Sequence, residues 1–179
     1  MSHTLWLFVA PSGAGKTTLV TRLKENGLSE VVSHVTRDMR PGEVDGVHYH
    51  FITRERFEAM EAAGEFIEKV DYGGNFYGVS CAEVESKLAA GDCVAIVNGD
   101  GADQLRAAFP CKVIFLAPPD IQEMVRRLRE RGDSEQIIQD RLASRESEMA
   151  YQLKANSVIE PNSPEWTYRV ACYIMDRKP

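Results

Sequence analysis

The stretch "VAPSGAGKTTL", Val9 to Leu19, follows an apolar run and leads into a helical pattern with Leu19, Val20 and Leu23 on one face. Its reading decides the fold. A loop this rich in glycine, ending in Lys-Thr-Thr between a strand and a helix, is the form in which backbone N–H groups cradle a phosphate. Glycine lets those N–H groups turn inward, and the following helix points its positive N-terminal end at the same anion.

The Walker A pattern G-x-x-x-x-G-K-S/T reads "APSGAGKT" here, with Ala10 in the first glycine position. Ser12, Gly13, Ala14, Gly15, Lys16, Thr17 and Thr18 are therefore the expected residues around the phosphates of ATP. Lys16 is placed to reach the β- and γ-phosphates, and the Thr17 hydroxyl to hold Mg²⁺. Ala10 brings a Cβ to a position usually glycine, so its backbone must avoid a positive φ. The loop names the donor and leaves the acceptor open.

Working outward, short apolar runs at Thr4–Val9, Val94–Val97, Lys112–Leu116 and Ser157–Ile159 read as buried strands, with amphipathic helical patterns between them. Ser80 with Glu83 forms a capping-box pattern, and Gly91 closes that helix. Asp120 and Glu123 repeat the pattern before Ile121, Met124, Val125 and Leu128, and Ser163-Pro164 opens the last helix. Alternating strands and helices predict an α/β fold whose parallel sheet is flanked by helices. From Ser33 to Ser80 the alternation stops. That segment is polar and aromatic, with one helix near Arg54–Ala63, and reads as a lobe inserted into a single domain.

Composition narrows the partners. The chain has 179 residues, and a net charge of −6 argues against general nucleic-acid binding, which needs surplus Lys and Arg. A small anionic substrate needs only a few local cations. The four cysteines lie far apart with no C-x-x-C pair, as expected of reduced thiols, and no zinc site is legible in them. "TLWLFVA" is too short for a signal peptide and lacks a basic leader. No run approaches the roughly 20 apolar residues of a membrane span. A cytoplasmic protein working on small-molecule nucleotides, away from membranes, is expected; composition is silent on oligomeric state.

The acceptor is suggested by "SHVTRDMRPGEVDGVHYHF" and "EFIEKVDYGGNFYGVS". Arg37 and Arg40 flank a short turn, and with Tyr49 and Tyr77 they offer guanidinium forks and phenolic hydroxyls to a terminal phosphate. Glu68 is an acid after the apolar pair Phe66 and Ile67. Taken singly, each has a plainer reading as an exposed arginine, a packing tyrosine or a solvated acid.

Together and in this order they resemble the guanylate kinases, over essentially the whole chain to about Pro161. The resemblance implies a P-loop kinase with an inserted acceptor-binding lobe, about residues 33–80, and a helical lid, about 126–145. It implies that Arg37, Arg40, Tyr49 and Tyr77 hold the phosphate of GMP or dGMP while Ser33 and Glu68 read guanine. An ionised carboxylate accepts guanine N1–H and N2–H₂ side by side, a pair adenine does not offer. Arg131 and Arg141, in "RERGDSEQIIQDRL", resemble lid arginines; that segment is one residue shorter than the usual version. Phosphoryl transfer then depends on Lys16, Arg40, Arg131 and Arg141 as catalytic cations, with no general base, because the acceptor is already a phosphate oxygen.

Two departures stand out. The family's Y-G-S/T-S reads "YGVS", so Val79 replaces a hydroxyl expected at the base, which predicts relaxed purine selectivity. Where the family has E-I-D-x-Q-G, this chain has "IVNGDGA", leaving Asn98 or Asp100 to fill part of the acid's role. "VNG" and "YGV" also resemble ribose 1,5-bisphosphate phosphokinase, which lacks the G-E-x-D-G-x-x-Y string. A kinase-like module that only binds is the third reading, and Lys16 and Thr17 speak against it.

Overall fold

The computed structural model describes residues 3–72, 74–130 and 132–179. Five strands form one wholly parallel sheet: β1 (Leu5–Val9), β2 (Ser29–Glu30), β7 (Cys93–Ile96), β8 (Cys111–Leu116) and β9 (Ser157–Ile159), in the order β2-β7-β1-β8-β9. The four apolar runs are strands, and β2 is an edge strand too short to leave a period in the sequence.

The central strand explains why these runs do not alternate. Leu5, Leu7 and Val9 face one apolar cluster, with Val84, Leu105 and Phe115; Trp6 and Phe8 face another, with Leu19, Leu23, Ile114 and Tyr168. A parallel strand covered on both faces is apolar at every position. Helices α1 (Lys16–Glu25) and α7 (Pro164–Ile174) supply one cover, α3 (Cys81–Ala90) and α4 (Gly99–Ala108) the other. Phe8 is fully buried, and Phe8→Ala would cost about 3–5 kcal/mol.

The Ser163 hydroxyl accepts the Trp166 N–H of α7, whose first residue is Pro164. At the start of α3, Ser80 Oγ accepts Glu83 N–H at 3.3 Å, but the reciprocal half of the capping box is not made. Instead Glu83 Oε1 accepts the backbone N–H of Val32 at 3.0 Å. A residue in the first turn of α3 therefore ties down the chain just before the segment that departs from the main sheet.

That segment builds a second, four-stranded sheet from β3 (His34–Val35), β4 (His50–Phe51), β5 (Phe66–Tyr72) and β6 (Asn75–Ser80), ordered β4-β3-β6-β5. Helix α2 (Arg54–Ala62), capped by Thr53, lays Phe57 against Phe66 at 4.3 Å and Phe76 at 5.4 Å between ring centroids. The lobe thus has an aromatic core of its own.

Helices α5 (Ile121–Glu130) and α6 (Glu135–Ala150) pair through Met124, Leu128 and Ile138. Asp120 Oδ1 accepts Glu123 N–H at 2.9 Å, as the capping pattern predicts. Ile121 departs from the predicted apolar face: it is 52% exposed, because that face is buried only from Met124 onward. Among the described residues no helix is long and apolar enough to cross a membrane.

Candidate active site

The P-loop leaves the carboxyl end of β1 and turns into α1 through two left-handed glycines, Gly13 at φ 78° and Gly15 at φ 94°. A Cβ at either would be strained, which is the local reason for the motif's spacing. Ala10 has no positive φ and is buried in the core. Lys16 Nζ donates to the carbonyls of Ala10 and Pro11, the latter at 3.2 Å. Ser12, Gly13, Ala14, Gly15, Lys16, Thr17 and Thr18 all line one cleft of about 500 Å³, whose far wall is Asn162, Ser163 and Thr167. This strand–loop–helix geometry, with exposed Thr17 beside Lys16, fits a polyphosphate and its Mg²⁺.

Helices α5 and α6 reach over this loop. Arg141 Nη1 donates to Ser12 Oγ, and its Nε lies 3.5 Å from Asp133 Oδ2. Arg127 donates to the Gly13 carbonyl at 3.0 Å. Sequence reasoning missed Arg127, since one of three arginines on a helix carries no distinguishing signal. Arg131 lies outside the described residues.

The second cluster lies on the lobe. Arg37 sits with its guanidinium 5.1 Å from the Tyr49 ring centroid, and the Tyr49 and Tyr77 rings meet edge-on at 6.0 Å. Arg37 does not present its fork openly. Both terminal nitrogens donate to Glu43 at 2.6 Å, and Nη1 also donates to the Asp38 carbonyl at 2.9 Å. The same carboxylate accepts the Arg40 N–H at 2.8 Å, while the Arg40 side chain is exposed. The Arg37 fork holds the Glu43 carboxyl down to about 2, and Glu43 in turn raises the Arg37 guanidinium. Glu43 went unnoticed in the sequence, although an acid three residues after Arg40 is the natural counter-ion for paired arginines.

Ser33 is half-buried where the chain enters the lobe, and its carbonyl accepts His50 N–H at 2.9 Å. Glu68 follows a β-bulge in β5 and is only 8% exposed. It has no hydrogen-bond partner among the described residues, and burial pushes its carboxyl up to about 7. Such a group is poised to receive donors from a ligand, since a buried carboxylate left unpaired is costly. It packs against the first turn of α4, where a Cβ on Gly101 would lie 2.9 Å from Glu68 Cγ.

Val79 requires a correction. It pairs with Glu68 across β5 and β6 but is 1% exposed, packed with Val31, Val84 and Val97 beneath the site. It contributes to the core and presents no surface to a base. Asn98 and Asp100, flagged as replacements for an acid, are respectively the cap and the first turn of α4.

The geometry is a phosphate loop on one body and an arginine–tyrosine–carboxylate set on the other. The family model described as "Guanylate kinase" matches residues 2–176. The chain is 42% identical to a guanylate kinase of Pseudomonas fluorescens over 167 residues, covering 89% of this chain and 81% of that one. It is 48% identical to a guanylate kinase of Hahella chejuensis over 152 residues, covering 82% and 73%. The crystal structure of guanylate kinase from Anaplasma phagocytophilum superposes with a TM-score of 0.76 at 27% identity, covering 98% of this chain and 85% of that one.

Proposed function

The chain belongs to the guanylate kinase family, and on that premise we propose that it transfers the γ-phosphate of ATP to GMP or dGMP, giving ADP and the nucleoside diphosphate. The P-loop from Ser12 to Thr18 holds the triphosphate, and Lys16 exchanges its two loop carbonyls for the transferring phosphoryl group. The Thr17 hydroxyl would hold Mg²⁺, which when bound neutralises charge across the phosphates. Arg40, Tyr49 and Tyr77 bind the acceptor phosphate. Arg37, clasped by Glu43, stands beside them as a fixed cation. Arg141 closes from the lid, and Arg131 is proposed to join it on the strength of the sequence alone.

Catalysis on this reading is alignment plus electrostatics. Two anions repel unless cations are placed between them, and the acceptor oxygen needs no base. The observation that carries the acceptor assignment is Glu68: a buried carboxyl without a partner, on the lobe, whose lone pairs suit guanine N1–H and N2–H₂. Ser33 serves as the second reader of the base. The relatives give no support to a sugar-bisphosphate acceptor or to a non-catalytic module. Small-molecule nucleotides are the proposed partners, and a cytoplasmic setting the proposed location. A coupled assay of ADP release across GMP, dGMP, AMP, CMP, UMP and ribose 1,5-bisphosphate tests this. GMP and dGMP should lead; turnover of the sugar bisphosphate above GMP would overturn it.

A further inference from the structure

We propose that Arg145 is a further catalytic residue, whose guanidinium binds the phosphoryl group as it passes from ATP to the acceptor phosphate. The inference rests on the proposed donor and acceptor sites, and adds to them a cation that no motif marks.

Helix α6 carries one inward stripe, Ile138, Leu142, Arg145 and Met149, at i, i+4, i+7 and i+11. Ile138 and Leu142 pack with α5, and Met149 packs on the apolar cluster between the sheet and α4, with Val97 and Phe115. An arginine thus stands where the stripe calls for an apolar residue. It is half-buried, its Nε is buried without a hydrogen-bond partner, and among the described residues no carboxylate pairs with it. Glu148, on the next turn, is instead hydrogen-bonded to Ser144 at 3.0 Å. A cation held in that state is costly unless a ligand supplies the anion.

The course of α6 says which anion. Arg141, one turn before Arg145 and about 6 Å along the axis, reaches the P-loop at Ser12. At the other end Tyr151 seats on the first turn of α4. A Cβ on Gly99 would lie 2.7 Å from Tyr151 Cδ2, and the Tyr151 hydroxyl donates to Asp103 at 2.9 Å. Two residues on, Gly101 packs against Glu68. The helix therefore runs from the donor loop to the back of the acceptor site, with Arg145 between them on its inward face. In the step itself an acceptor oxygen bonds to the γ-phosphorus. The bond from that phosphorus to the β,γ-bridging oxygen breaks, and its electron pair stays on ADP. Arg145 gives up no proton; it meets charge that spreads over the transferring oxygens, as an arginine finger does.

The test is Arg145→Met, which keeps an unbranched stem within the stripe, beside Arg145→Lys. Arg145→Met should lower kcat by about 10²-fold, with the KM of ATP and of GMP each within about threefold of wild type. Its melting temperature should hold or rise, because an unpaired cation has left a half-buried place. Affinity for a bisubstrate analogue joining adenosine to guanosine through five phosphates should fall by about tenfold or more. Arg145→Lys should recover part of both losses, and free guanidinium at millimolar concentration should rescue Arg145→Met but not stimulate wild type. A kcat within about threefold of wild type overturns the proposal. So does a kcat loss that comes with a lower melting temperature and no rescue by guanidinium, which would make the role structural. A rise in the GMP KM alone also overturns it, placing Arg145 on the bound acceptor and not on the group in transfer. Failure of wild type to phosphorylate GMP at all would instead overturn the site reading beneath it.

Discussion

Arg37 and Glu43 meet fork to fork, with both terminal nitrogens of the guanidinium 2.6 Å from the two carboxylate oxygens. Both side chains are largely shielded, 11% and 18% exposed, so the pair is worth more than a surface salt bridge. Glu43→Gln should cost about 1–3 kcal/mol and raise the KM for GMP by loosening Arg37 and Arg40. The folded carboxyl is depressed, to about 2 from 4.5, so its contribution is fully present above pH 4.5 and is lost as pH falls toward 2. The stability gap between wild type and Glu43→Gln should therefore be constant from pH 8 to 5 and shrink below. A gap that shrinks near neutral pH would show that another group is responsible.

Lys16→Ala should abolish phosphoryl transfer by a factor on the order of 10² or more in kcat. Its nitrogen donates to the loop carbonyls of Ala10 and Pro11 and its side chain is no part of the apolar core, so the melting temperature should change little. Near-wild-type kcat in single-turnover kinetics would remove the P-loop from the mechanism.

Arg40 and Arg37 should separate in their effects. Arg40→Ala should raise the GMP KM by about tenfold or more, leave the ATP KM nearly unchanged and leave stability intact, because its side chain is exposed. Arg37→Ala should raise the same KM and also lower the melting temperature by several degrees, since it strands Glu43. Steady-state titrations of each substrate, with melting curves, check both. A rise in ATP KM alone would contradict the lobe's role as acceptor site.

Glu68 sets a pH dependence of opposite sign. Burial holds its carboxyl near 7 in the folded protein, against 4.5 unfolded. Between those values the folded state binds the extra proton, so stability from this group is present below pH 4.5 and is lost as pH rises through about 7. Glu68→Gln should be more stable than wild type at pH 8, by about 3 kcal/mol or less, and equal to it near pH 4. GMP needs the ionised form, so its KM should fall as pH rises from 6 to 8, with a proton released on binding. Isothermal titration in buffers of different ionisation enthalpy measures that proton; none released would place the base elsewhere.

The main sheet and the P-loop were legible because their signals are local. A strand buried on both faces is an unbroken apolar run, and the loop needs its glycines at fixed spacing. The lobe's sheet was not, since His34–Val35 and His50–Phe51 are two-residue strands too short to show a period. Glu43 escaped notice because its partners lie three and six residues away around a turn. Val79 was misplaced because a missing hydroxyl says nothing about which way its strand faces.

Glu83 ties Val32 to the first turn of α3, and Ser80 caps the same turn. Glu68, opposite Val79, packs against α4, so this end of the lobe is fastened to the main body from two sides. Arg40 lies beyond the far end of β3, with its side chain exposed. The proposed reader of the base is thus set in the foundations of the molecule, and the proposed grip on the phosphate stands at its outskirts.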